Sequence, residues 1–221
     1  MPLLSRLQDF CILGFLYWAM KMNESRKIVI YFAHPASHKS RINAAMLKAV
    51  EGLDNVSIRR LYDLYPDYYI DIRLEQSILV DHDVIVWQHP FYWYSAPSLL
   101  KEWIDLVLEH GFAYGHEGKA LAGKFIMTAI TTGGRKDAYH EQGRNHFTIR
   151  QLLAPFEQTS NLCNMKYLPP FVVHGTLAME ATQISSAAEE YRKAIIAIRD
   201  RHFTDDEMLS QEYINNMLEF E

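Results

Sequence analysis

The sequence has few cysteines and no apolar run long enough to span a membrane, and each shortage excludes a class of protein. Only Cys11 and Cys163 occur among the 221 residues, and no Cys-x-x-Cys spacing is present. We therefore expect no disulfide framework and a reducing compartment, with Cys163 packed in the interior. The apolar run at 10–20 has eleven residues, whereas a transmembrane helix needs about twenty.

Residues 1–24 are expected to be an N-terminal extension ahead of the folded domain. Arg6 precedes the apolar run as in a signal peptide, but Asp9 interrupts that pattern and no small-residue cleavage site follows. We expect the extension to be poorly ordered or packed as a short helix. Anchoring at a membrane surface is the alternative.

Basic residues are outnumbered, with 22 Lys and Arg against 27 Asp and Glu, and the net charge is −5. This charge gives no electrostatic footprint for nucleic acid. Residues 204–221 carry six acids and no Lys, Arg or His, which leaves about +1 for the rest of the chain. We expect this acidic C-terminal tail to be separable and to begin with a short helix, because Thr204 and Glu207 have the spacing of a capping box.

The remaining chain, 25–203, reads as one domain of alternating strands and helices. Strands are predicted at 27–33, 56–61, 84–87, 124–130 and 167–174, from short apolar or alternating runs. Helices are predicted at 41–51, 72–80, 97–108, 152–162 and 181–200. This order predicts an α/β fold in which a doubly wound, five-stranded parallel sheet lies between two layers of helices.

The loop after the first strand, 34–40, lacks glycine, which excludes a Walker loop and a GxGxxG loop. Its serines lead into a helix N-terminus, where backbone N–H groups and the helix dipole favour a phosphate. Ser40 is expected to cap this helix and Asn43 to lie in its first turn. An ordinary capped helix is the alternative. No metal site is expected, because Pro35 prevents the helical spacing that His34 and His38 would need.

Two further loops follow buried strands. The loop at 91–96 is aromatic, and Pro97 is expected to open the next helix. These rings either contact a flat ligand or pack in the core or a dimer interface. The loop at 131–134, Thr-Thr-Gly-Gly, allows a ligand to approach the backbone closely. Right-handed crossovers bring the loops after the first, third and fourth strands to one sheet edge. Together these loops suit a ligand that has a phosphate, a linker and a flat polar ring, which describes FMN.

Several motifs together resemble those of a known family. They are WQHPFYWYSAP at 87–97, LLKEWID at 99–105, HGFAYG at 110–115, TTGG at 131–134 and LPPF at 168–171. They resemble the flavodoxin-like NAD(P)H:quinone oxidoreductases, and within these the ancillary subunits of bacterial glutathione-gated potassium efflux, the Kef type. The resemblance extends from 27 to 200 and implies a flavodoxin-like fold.

The resemblance also implies site residues. The cofactor-binding residues would be His34, Ser40, Arg41, Ile42, Asn43, Phe91, Tyr92, Trp93, Tyr94, Thr131, Thr132, Gly133 and Gly134. Their cofactor would be FMN, with FAD as the alternative, and NAD(P)H would be the co-substrate. Tyr139 and His146 would stabilise charge during hydride transfer. His140 is a rival for the histidine's role, and both Tyr139 and His146 can instead be ordinary loop surface.

The resemblance implies an enzyme that reduces a quinone or small electrophile by two electrons. It also implies a homodimer, in which the helix at 97–108 would form part of the interface. The protein would be cytoplasmic, or peripheral on the cytoplasmic face of the inner membrane, and would activate a potassium/proton antiporter. A regulatory antiporter subunit with incidental reductase activity and a one-electron carrier are the alternatives. The choice between NADH and NADPH stays open, since Arg135 and Lys136 either meet a 2′-phosphate or are solvated charges.

Overall fold

The computed structural model describes residues 24–220, so the expected extension at 1–24 lies almost entirely outside the described residues, as does Cys11. The strands are β1 (Ile28–Phe32), β2 (Val56–Arg60), β3 (Val84–Pro90), β4 (Phe125–Thr131), β5 (Lys166–Tyr167) and β6 (Phe171–Val173). They form one parallel sheet in the order β2-β1-β3-β4-β5, and β6 also pairs with β4. The predicted fold class is confirmed.

The fifth sheet position differs from the continuous strand predicted at 167–174. It consists of β5 and β6, which flank Leu168, Pro169 and Pro170. Proline has no N–H to donate to a strand ladder, so the pairing with β4 is interrupted there and resumes at Phe171.

The helices are α1 (Ile42–Val50), α2 (Leu61–Leu64), α3 (Ile72–Asp81), α4 (Ser98–Val107), α5 (Ile149–Leu152), α6 (Ala154–Leu162), α7 (Ala181–Arg199) and α8 (Asp205–Leu209). Three predictions about these helices were wrong. Pro97 precedes α4 as its N-cap instead of lying inside it. The helix predicted at 152–162 is two helices, because Pro155 has no N–H to donate to the Gln151 carbonyl. The turn expected after the second strand begins with the short α2.

The core has two halves, one on each face of the sheet. Successive residues of β1 alternate between them: Val29 and Tyr31 pack on α3 and α4, while Ile28 and Ile30 pack on α1 and α7. Cys163 is buried at the edge of the first half, and burial raises the pKa of its thiol to about 11. Within residues 24–220 no helix combines the length and apolarity needed to cross a bilayer.

The acidic tail packs on the domain. Its first helix, α8, has the capping box expected at Thr204 and Glu207. Met208 in α8, and Ile214 and Met217 beyond it, are buried in the half of the core that contains α1 and α7. The tail is therefore part of the hydrophobic core even though its surface is acidic.

Candidate functional site

A cavity of about 450 Å³ opens where the carboxyl ends of β1, β3 and β4 meet. Nine of the thirteen residues predicted to bind the cofactor line it: His34, Ser40, Arg41, Ile42, Asn43, Phe91, Tyr92, Thr131 and Gly133. The lining also includes four residues that the sequence analysis missed, namely Lys39, Pro90, Thr176 and Leu177. The three predicted loops therefore do converge on one edge of the sheet.

One end of the cavity is suited to an anion. The first turn of α1 lies on its wall, and Arg41 and the exposed Lys39 lie beside it. The capping role expected of Ser40 is wrong. Arg41 occupies the N-cap position in helical geometry, and in this part of the described chain no side chain accepts a hydrogen bond from the first turn. The amides of α1 are therefore not satisfied by a cap, which leaves them available to a phosphate.

His34 enters this wall as a neutral donor. Its side chain is buried, and its Nδ1 accepts a hydrogen bond of 3.1 Å from the backbone N–H of Ala36. Burial lowers the pKa of the imidazole below its ordinary value. With Nδ1 acting as acceptor, Nε2 carries the proton and is the group that can donate to a ligand.

Behind the cavity, buried hydrogen bonds connect α1, β3 and β4, the elements that adjoin the three loops. Gln88 on β3 donates to the backbone oxygen of Asn43 at 3.0 Å, and Asn43 Nδ2 donates to Thr131 Oγ1 at 2.7 Å. The Asn43 Oδ1 atom is buried and has no hydrogen-bond partner among the described residues. An orphaned buried acceptor on the wall of a cavity indicates a ligand donor nearby.

The aromatic loop makes a tight turn. The Ser95 N–H donates to the Tyr92 carbonyl at 3.0 Å, and Trp93 and Tyr94 both have positive φ, +49° and +63°. Phe91 is buried and Tyr92 lines the cavity, with its ring 6.0 Å from that of His34. The Trp93 side chain is 93% exposed and lies outside the cavity lining. The loop thus divides its rings between the site and the surface.

The loop after β6 covers the Thr131–Gly134 loop. The Gly175 N–H donates to the Gly134 carbonyl at 2.8 Å, and the N–H and hydroxyl of Thr176 both donate to the Thr132 carbonyl at 3.0 Å. Thr132 is buried and lies behind the cavity wall. The sequence could have indicated Thr176 and Leu177 as site residues, because they follow the predicted fifth strand and therefore lie at the same edge of the sheet.

A second cavity, of about 600 Å³, adjoins the first and shares Gly133 with it. The predicted residues Tyr94, Gly134 and Tyr139 line it, together with Arg135, Asp137, Ala138, Arg144 and Asn145. His146 and His140 are exposed and lie outside both linings. The two predicted catalytic residues are therefore placed differently, with Tyr139 on a cavity wall and His146 on the surface.

His174 is a further histidine of this region that the sequence analysis did not single out. It lies at the end of β6, with its ring 5.5 Å from that of Tyr139 and its Nδ1 3.2 Å from Thr132 Oγ1. Burial, and secondarily the charge of Lys136, lowers the pKa of His174 to about 4. The imidazole is neutral near pH 7, and its ring packs against the ring of Tyr139.

Comparison with known proteins gives a consistent assignment. A family model described as flavodoxin-like fold matches residues 26–195. The glutathione-regulated potassium-efflux system ancillary protein KefG of Pectobacterium carotovorum is 45% identical over 170 residues, which are 77% of this chain and 93% of KefG. General stress protein 14 of Treponema denticola, solved in complex with FMN, is 36% identical, with a TM-score of 0.74 over 78% of this chain and 99% of that one. An NADPH-quinone reductase from P. pentosaceus is 34% identical, with a TM-score of 0.69 over 76% and 96% of the two chains. The chain therefore belongs to the flavodoxin-like family.

Proposed function

We propose that this protein is an FMN-dependent NAD(P)H:quinone oxidoreductase. The observation that carries the proposal is the first cavity, in which a cationic helix N-terminus, an aromatic loop and a glycine loop meet within about 450 Å³. The similarity to KefG, to an NADPH-quinone reductase and to a general stress protein 14 solved in complex with FMN supports it.

The residues present fit FMN. Lys39, Arg41 and the amides of α1 would hold the phosphate, because cations and helix N-termini both stabilise dianions. Asn43 Oδ1 and the Thr131 hydroxyl offer hydrogen bonds to the sugar-like linker. Gly133 leaves the backbone open to the flat ring, since it has no side chain to hold the ring away.

The flavin, when bound, supplies hydride chemistry that moves two electrons from NAD(P)H to a quinone or another small electrophile. The protein excludes water and positions donors. Tyr139 lies on the wall of the second cavity, where its hydroxyl can donate to charge that develops near Gly133 and Gly134. We retain His146 as a second donor, which requires its loop to turn inward, and His140 remains its rival.

The first experiment is an absorption spectrum of the purified protein, followed by reduction of menadione with NADH or NADPH. We expect flavin bands, FMN released on denaturation, and quinone reduction. Lys39→Gln should weaken FMN binding several-fold, whereas Lys48→Gln, at the other end of α1, should not. Protein that takes up neither FMN nor FAD would overturn the proposal.

The similarity to KefG supports a second proposed role, the activation of a potassium/proton antiporter from the cytoplasmic side of the membrane. Tyr69, 85% exposed, and Trp93 are large apolar side chains available for docking. Co-purification with a Kef-type antiporter, and potassium efflux measured with and without the protein, test this role. Efflux that survives loss of FMN binding would make the protein a regulatory subunit with incidental reductase activity.

We also propose a homodimer. The apolar side of α4 is buried within the protomer, where Leu100 and Trp103 pack in the core. Its outer side is polar, with Lys101 and Asp105 forming an ion pair. Any interface that includes α4 must therefore use its polar side together with neighbouring elements, and light scattering on the purified protein will give the number of subunits.

A further inference from the structure

The structure separates two cations that the sequence analysis had considered together. Arg135 lines the second cavity, whereas Lys136 lies outside its lining, with its Nζ 5.5 Å from the ring centroid of Tyr213. Arg144, which lies later in the same loop, also lines this cavity. The second cavity therefore has a pair of guanidinium groups beside the glycine wall that it shares with the first cavity.

The loop that carries these arginines is held in place by its own hydrogen bonds. The Asn145 N–H donates to the Ala138 carbonyl at 3.0 Å, and the Tyr94 hydroxyl donates to Asn145 Oδ1 at 3.2 Å. The second bond joins this loop to the aromatic loop after β3. On the other side of Arg144, the Gly143 N–H donates to the His140 carbonyl at 2.9 Å, so Arg144 lies between two anchored neighbours.

The charge on this wall is net positive. Arg135 Nε lies 3.8 Å from Asp137 Oδ1, which is a weak pairing between two exposed groups. Arg144 has no ion pair or side-chain hydrogen bond within residues 24–220. Planar guanidinium groups recognise phosphate with paired hydrogen bonds, and two of them suit a dianionic phosphate monoester.

We propose that Arg135 and Arg144 bind a phosphate monoester on the reductant and so make NADPH the preferred electron donor. The inference rests on the proposed reductase function. NADPH and NADH differ only by the phosphate on the adenosine ribose. A dinucleotide whose nicotinamide reaches the opening of the first cavity at Gly133 has its adenosine half in the second cavity, beside these arginines.

The test compares kcat/KM for NADPH and NADH with menadione as a neutral acceptor. We expect the wild-type ratio of the two kcat/KM values to favour NADPH. Arg135→Gln and Arg144→Gln should each lower this ratio roughly threefold to tenfold, because each lowers kcat/KM for NADPH and leaves kcat/KM for NADH unchanged. Lys136→Gln is the matched control and should leave the ratio unchanged. Added salt should reduce the preference, because the arginines are exposed.

A direct binding measurement keeps this inference distinct from the reductase proposal. Calorimetry with adenosine 2′,5′-bisphosphate and with 5′-AMP should show tighter binding of the bisphosphate, and the double arginine variant should lose this difference. If bisphosphate selectivity is present but neither dinucleotide is oxidised, the reductase proposal fails and the phosphate site stands. Equal binding of the two nucleotides, a wild-type ratio near one, or equal losses with NADH and NADPH would overturn the inference. A raised KM for menadione would assign the arginines to the acceptor instead.

Discussion

Trp93 and Tyr94 are held in a backbone region that costs an L-residue about 1–2 kcal/mol. Such conformations persist where the surrounding structure requires them, and they concentrate at functional sites. The exposed indole of Trp93 has little packing to offset its cost. Local packing at Trp93 therefore does not offset the cost of this conformation, and its position beside the candidate cavity makes the turn a natural target for substitution.

Replacing Trp93 with asparagine should stabilise the protein. Asparagine tolerates the left-handed region and is favoured in turns of this type, so we expect the free energy of unfolding to rise by up to about 1 kcal/mol. Urea denaturation measures the change. Tyr69→Asn is the control, because Tyr69 is similarly exposed but does not have positive φ. Equal gains from both variants would show that removal of exposed aromatic surface, not backbone strain, is the cause.

His89 should make stability depend on pH. It is fully buried on β3, its Nδ1 donates to the Pro90 carbonyl at 2.9 Å, and burial lowers the pKa of the imidazole to about 4. In the unfolded chain the pKa is about 6.5. Between these values the unfolded chain binds a proton that the folded chain does not. His89 therefore contributes its full stabilisation above about pH 6.5, and the contribution is lost as the pH falls toward 4, at up to about 1.4 kcal/mol per pH unit.

The measurement is urea denaturation between pH 5 and pH 8. His89→Asn keeps a donor for the Pro90 carbonyl and should have a shallower slope than the wild type below pH 6.5, while His174 still contributes in the same window. His116→Asn, at a side chain that is 97% exposed, is the control. Identical slopes for wild type and His89→Asn would contradict the assignment.

Among the elements, the loop after β6 connects the edge of the sheet to the glycine loop at 131–134. Its backbone and the Thr176 hydroxyl donate three hydrogen bonds to the carbonyls of Thr132 and Gly134. The glycine loop contributes no apolar side chains that would hold it in place. Its position therefore depends on hydrogen bonds, namely these three and the one from Asn43 Nδ2 to Thr131 Oγ1 among others. Part of the candidate site is thus preorganised by an element that follows it by about forty residues in the sequence.

Thr176→Val should loosen that connection without unfolding the protein. The change removes the hydroxyl bond and keeps the backbone bonds, so we expect a stability loss of about 1 kcal/mol or less and an FMN dissociation constant raised roughly threefold to tenfold. Fluorescence titration of the apoprotein with FMN measures the second effect. Thr182→Val, in the exposed first turn of α7, is the matched control. Unchanged FMN affinity would show that the backbone bonds alone hold the loop.

At the scale of the whole molecule, the acidic tail completes the core. Arg26, only 2% exposed, pairs with Asp205 at 2.8 Å, and Met208, Ile214 and Met217 fill the space between α7 and the sheet. Deletion of 204–221 should lower the free energy of unfolding by more than about 4 kcal/mol, because each buried apolar side chain contributes about 1.5–3 kcal/mol. Chemical denaturation of the truncated chain measures this loss.

The double variant Asp206→Asn, Glu212→Gln separates charge from packing. Both side chains are exposed, so their neutralisation should change stability by no more than about 0.5 kcal/mol. A large loss in this variant, together with a mild effect of the truncation, would mean that the tail acts through its charge and not through its buried side chains.

Local patterns in the chain were enough to predict the fold class and the edge of the sheet at which the candidate site lies. The strand predicted at 84–87 reads as a continuous apolar run, although β3 in the structure continues to Pro90. Parallel strands with right-handed crossovers then bring the loops that follow them to one edge of the sheet. The anion-binding, aromatic and glycine loops were therefore predictable as neighbours from local pattern alone.

Which side chains reach the candidate site depends on contacts that form only in the folded protein. Ser40 does not cap α1, Trp93 points to solvent, Lys136 turns to Tyr213, and Arg144 and Thr176 enter from segments that no motif marked. The physical reason is that the direction of a loop side chain depends on backbone dihedrals and on hydrogen bonds to distant segments. Periodicity records burial within strands and helices, and it carries no information about those contacts.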